Sequence, residues 1–153
     1  MSYSSDDLSV FNLLHDAHEL EGTAYFELHP HDLPEQHGCW LEGSLFVQDA
    51  GFDFFTGCCH RVHPEFDYFA FVRFDRAQIQ ALGAELSSFV AELIPGASRE
   101  TVFSRYTSIF GKEIWQDVDT DRLRLAVAAA GAGIRSFIET STTESGCLWV
   151  LGM

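Results

Sequence analysis

Residues 66–74 (FDYFAFVRF) carry apolar side chains on both parities. Phe66, Tyr68, Ala70, Val72 and Phe74 form one set; Phe69 and Phe71 stand between Asp67 and Arg73 in the other. A strand apolar on both faces fits the middle of a sheet, so the pattern predicts a central strand. Asp75 then opens the clearest helix, with Gln78 at the capping-box position. Ile79, Leu82, Leu86, Phe89, Val90 and Leu93 recur at helical spacing until Pro95-Gly96 stops them. Ser98 is placed to cap a second helix carrying Val102, Phe103, Tyr106, Ile109 and Phe110, ended by Gly111. A third helix is expected from Asp119 or Thr120 to about Ile138. Gly131 and Gly133 lie inside it, each costing roughly 1 kcal/mol relative to Ala. Close approach to a neighbouring element would offset that cost; a local kink is the alternative.

The first half reads mainly as strands. Residues 6–19 predict a short helix behind Ser5, with Val10, Leu13, Leu14 and Ala17 on one face, although Leu8 and Val10 also suit a strand. Ala24 to His29 alternates as a strand, and Pro30 to Gly38 reads as a loop. Trp40 to Gln48 and Phe52 to Cys58 suggest a hairpin around Asp49-Ala50-Gly51. With residue 48 opposite 53, Leu41, Leu45, Val47, Phe52 and Phe54 share a core face. The other face then carries Trp40, Glu42, Ser44, Phe46, Gln48, Asp53 and Phe55. Cys147 to Leu151 reads as a terminal strand. Together these elements predict an α+β fold. Its antiparallel sheet has four to five strands, with about three to four helices packed mainly on one face. A single domain over residues 1–153 is expected, because no repeat or linker divides the chain.

Charge gives this outline a direction. Residues 1–60 hold eleven acids and no lysine or arginine; all nine basic residues lie between Arg61 and Arg135. The net charge of -14 therefore divides into -11 and -3. A concentrated negative field selects cationic partners and opposes nucleic acid, which is held through clustered Lys and Arg. The weakly polar run from Leu125 to Ile134 is about half the length of a membrane span. The opening MSYSSDD has no basic n-region. These features predict a cytosolic protein with reduced thiols that binds neither membrane nor nucleic acid.

Chemical motifs are sparse. His29, His31, His60 and His63 are the best candidates for a metal site, but no CxxC or HExxH spacing supports them. The acids Asp117, Asp119 and Asp121 begin like a calcium loop. Arg122 and Ala128 then stand where such a loop requires Gly and Glu, and the acids suit a helix N-terminus instead. Neither a phosphate loop nor GxSxG is present. No catalytic residue and no cofactor is expected. The remaining candidate is a surface: Trp40, Phe46 and Phe55 among Glu42 and Asp53, with the loop acids Asp32, Glu35 and Asp49, facing a basic partner. Helices covering that hairpin face would make its aromatics core instead.

The size, acidity, α+β order and strand-to-helix segment FDYFAFVRFDRAQIQALGAELSSFVAEL give the chain an overall character that resembles bacterial toxin immunity proteins. The resemblance implies an inhibitor that neutralises a cationic toxin domain by direct binding; it transfers no functional residue. A metal-binding protein or enzyme using the His/Cys cluster, and an acidic secretion or folding chaperone, are the alternatives.

Overall fold

The computed structural model describes residues 2–34 and 38–152. Four strands, β1 (Tyr25–His29), β2 (Leu45–Gln48), β3 (Phe71–Phe74) and β4 (Leu148–Leu151), form one antiparallel sheet in the order β2-β1-β4-β3. Among the described residues, five α-helices accompany it: α1 (Asp49–Phe52), α2 (Thr56–Val62), α3 (Arg76–Glu92), α4 (Arg99–Val102) and α5 (Thr120–Ser141). The fold is α+β with a four-stranded antiparallel sheet, as the residue pattern predicts.

Strand parity divides the sheet into two unlike faces. The pairs Phe26–Val47, Leu28–Leu45, Leu28–Val150, Val72–Val150 and Phe74–Leu148 put eight buried apolar side chains on one face. Phe55, Leu82, Leu86 and Ile134 close over Leu28 and Val150 there, and α3 packs along α5 behind them. The other face carries Glu27, His29, Phe46, Phe71, Arg73, Trp149 and Leu151.

The two long helices follow their capping signals. Asp75 accepts from the Gln78 amide, and the Gln78 side chain accepts from the Asp75 amide, completing the capping box of α3. Asp119 caps α5 by accepting from the Arg122 amide. Gly131 sits where a Cβ would come within 2.8 Å of Val90 and 3.0 Å of Phe55. Helix α5 runs unbroken through it, so close packing explains the glycine, not a kink.

Several expectations are corrected. No hairpin follows β2: residues 49–52 and 56–62 coil into α1 and α2. Phe52, Phe54, Phe55, Cys58 and Cys59 are all buried, on both parities, as a coil within the core allows and a half-exposed strand does not. Gly51 and Gly57 permit it. A Cβ at these positions would lie 2.2 Å from the Val10 carbonyl oxygen and 2.4 Å from that of Arg105. Residues 66–70 lie outside the strand, turning at 68–70, and β3 is an edge strand; β4 is central, paired to both β1 and β3. The second apolar parity is instead exposed, with Phe69 59 % and Phe71 40 % accessible. The helix expected over residues 6–19 is replaced by two short 3-10 turns, Leu8–Phe11 and Ala17–Glu19. Helix α4 ends at Val102, well short of Gly111, leaving Ile109 and Phe110 exposed.

Candidate functional site

Glu27 is polar in the middle of β1 and only 1 % exposed. Burial of a carboxylate requires several hydrogen bonds to replace water. The segment after Gly38 supplies them as it crosses the sheet face opposite the helices. The Trp40 amide donates to Oε1 at 2.6 Å; the Leu41 amide and the Ser44 hydroxyl donate to Oε2 at 2.8 and 2.6 Å. Because the single Ser44 proton points at Glu27, His29 Nδ1 must donate to Ser44 Oγ, 2.9 Å away. Burial also lowers the His29 pKa, opposed by the nearby Glu27 charge.

This anchorage holds Trp40 at φ 66°, the one non-glycine residue with positive φ among those described. Such a conformation costs of order 1–3 kcal/mol and persists only where its surroundings impose it. The indole packs edge-on to Tyr25, with ring centroids 6.3 Å apart, and lies 5.8 Å from Phe46. Trp40 is common to two cavities. One, of about 450 Å³, is polar and includes His15, Asp16, His18, Glu42 and Gly43 in its lining. The other, of about 300 Å³, is lined mainly by apolar groups, among them Tyr25, Phe71 and Leu151.

The expected site residues divide among several environments. Trp40 and Glu42 share the polar cavity, half-buried and exposed respectively. Phe46 lies beneath Trp40 but is buried, and Phe55 is buried among the helices, so neither joins an aromatic surface. Asp53 is also buried, because its segment is coiled into the core. Burial raises its pKa to about 6, although Tyr68 Oη donates to it at 2.7 Å. Asp49 is half-buried and likewise raised by burial, opposed by the Ala50 amide donating to it. Asp32 is exposed and bonded to Arg73 Nε at 2.9 Å. That hydrogen bond holds its carboxyl below the usual range, with help from the Trp149 indole N–H. Glu35 lies outside the described residues.

The metal-ligand candidates do not form one group. The His29 and His31 rings lie 5.7 Å apart. His60 packs edge-on to Phe66. His63 Nε2 donates to the Arg73 carbonyl, and its Nδ1 accepts from the Glu65 amide. Among the described residues, no three His, Cys, Asp or Glu side chains are placed to hold a metal ion. Burial pushes the Cys58 thiol up to about 12 and Cys59 well above its ordinary value, which disfavours the reactive thiolate.

Sequence reasoning did not single out Glu27, His15 or His18, and placed Ser44 on a strand face without giving it a role. The readable signal was the alternation of Glu27 and His29 within an otherwise apolar strand, which puts two polar groups on one face. The chain matches no family model, no curated protein and no solved structure.

Proposed function

We propose that this protein is a cytosolic immunity or inhibitor protein that neutralises a basic toxin domain by binding it, without catalysing a reaction. The observation carrying this reading is the unneutralised acidic surface around Trp40. Of the carboxylates in residues 1–60, only Asp32 pairs with a basic side chain among the described residues. Four of the basic residues pair within the second half: Arg61 and Arg105 with Glu85, Arg124 with Asp121, Arg135 with Glu139. Arg99 donates to the Trp115 and Val118 carbonyls. Asp16 and Glu42 remain exposed beside a rigidly held aromatic ring, the combination that anchors protein interfaces. The absence of a membrane-length apolar helix among the described residues accords with a role away from the bilayer.

The test is binding to the basic domain encoded beside this chain's gene. A tight complex is expected, with inhibition of that domain's toxicity and an association rate that falls steeply with salt. The variant Asp16→Lys/Glu42→Lys should slow association by about tenfold or more. No complex with that domain, or a complex that forms without inhibiting it, would sink the proposal.

A further inference from the structure

Resting on the inhibitor reading, we infer that the recognised element is an extended segment with a cationic side chain and an aliphatic or aromatic side chain two residues apart. The cation enters the polar cavity; the apolar side chain enters its neighbour. Among the described residues, Trp40 is the only one shared by the two linings, so the two cavities adjoin at that residue. In an extended chain, residues i and i+2 point the same way and lie about 7 Å apart, a spacing that suits neighbouring cavities.

The two cavities differ in what they admit. Asp16 and Glu42 supply charge to the first, and no lysine or arginine occurs in residues 1–60. Trp40 lines the same cavity, and a tryptophan beside carboxylates is a favourable neighbour for a guanidinium or ammonium group. The second has Tyr25, Trp40, Phe71 and Leu151 in its walls. Its Glu27 carboxylate is already engaged by Trp40, Leu41 and Ser44, leaving the apolar walls to dominate. These bonds hold the backbone at Trp40 and Leu41, and the ring packs against Tyr25 and Phe46, so the site is ordered before a partner arrives and the ordering cost on binding is reduced.

Three capped pentapeptides test this by amide NMR shifts on the full chain: Gly-Arg-Gly-Leu-Gly, and the same peptide with either Arg or Leu replaced by Gly. The arginine peptide should shift Asp16, Glu42 and Gly43; the leucine peptide should shift Thr23, Phe71 and Gly152. The peptide with both should shift both sets and bind at least about tenfold tighter than either, through the linked second contact. Trp40→Gly, which relieves the positive φ while removing the ring, should abolish that gain. Gly-Arg-Leu-Gly-Gly, with the two side chains adjacent, should lack the gain on the unaltered protein, a control independent of any variant's folding. The inference is overturned if the paired peptide is no tighter than the arginine peptide, if adjacent spacing works equally well, or if either single peptide shifts both sets. A toxin complex that survives Trp40→Gly while the peptides fail would leave the inhibitor reading standing and remove only the two-cavity one.

Discussion

At the scale of single residues, Glu27 is the group on which the candidate site depends. Its two oxygens accept three hydrogen bonds from residues 40, 41 and 44. Glutamine would fill the same volume but turn an NH₂ group toward one of these donors. The least costly orientation leaves the Trp40 amide unpaired, and the remaining bonds lose their charge assistance. Glu27→Gln should therefore destabilise the protein by about 1.5–3 kcal/mol, the usual worth of a hydrogen bond to a charged group. It should also speed proteolysis within residues 38–44. Urea unfolding that shows no loss would mean the segment is held by its apolar contacts alone.

Asp53 gives a second test at this scale, with a definite sign. Its pKa is raised by burial to about 6 in the folded state, against an ordinary 3.8. A raised acid binds its proton more tightly when folded, so its contribution is complete below pH 4 and is lost as pH rises through 6. Two units correspond to about 3 kcal/mol. Asp53→Asn keeps an oxygen to accept from Tyr68 and removes the buried charge. Relative to the unaltered protein, the variant should gain about 2–3 kcal/mol between pH 4 and pH 7.5. A difference in unfolding free energy that stays constant with pH would contradict this account.

At the scale of elements, legibility followed the strength of local signals. Helices α3 and α5 were readable because caps, periodic apolar positions and, for α3, the Pro95-Gly96 stop all agree. Strand β4 was readable as a strand but not as the centre of the sheet, since pairing between residues 120 positions apart leaves no local trace. Residues 52–59 misled because a short apolar run suits a strand and a buried coil equally. Burial of Asp53 and Phe55 follows from that one ambiguity, whereas Phe46 is covered on the opposite sheet face by Trp40 and the segment at Leu14. Trp40 and Glu42 were identified on a hairpin that does not exist, yet they flank a cavity, because an aromatic beside an acid in a loop-rich stretch is informative by itself. Glycines separate the two helices further. In α3, a Cβ at Gly83 would meet only the Glu139 carboxylate at 3.7 Å, whereas at Gly131 it would press on Val90 and Phe55. Gly83→Ala should stabilise by about 0.5–1 kcal/mol through helix propensity. Gly131→Ala should lose about 1–3 kcal/mol to overpacking, offsetting any such gain. Equal effects at the two sites by thermal unfolding would disprove the packing difference.

At the scale of the molecule, the net charge of -14 is a cost to folding and an asset to encounter, and salt separates the two. With few pairs to neutralise residues 1–60, compacting the chain brings like charges together. Raising sodium chloride from 0.01 to 0.5 M shortens the screening length from about 30 Å to between roughly 10 and 3 Å. The isolated protein should therefore become more stable with added salt, by about 1–2 kcal/mol, or some 2–8 °C in Tm for a chain of this size. Asp16→Lys/Glu42→Lys should reduce that gain. Over the same range, association with a basic partner should slow, because the same screening removes the steering field. The two responses have opposite signs and a common cause. Stability that falls with sodium chloride would show that the ion pairs of Glu85, Asp121 and Glu139 outweigh the self-repulsion, and that the acidic half is not a strained surface awaiting a cation.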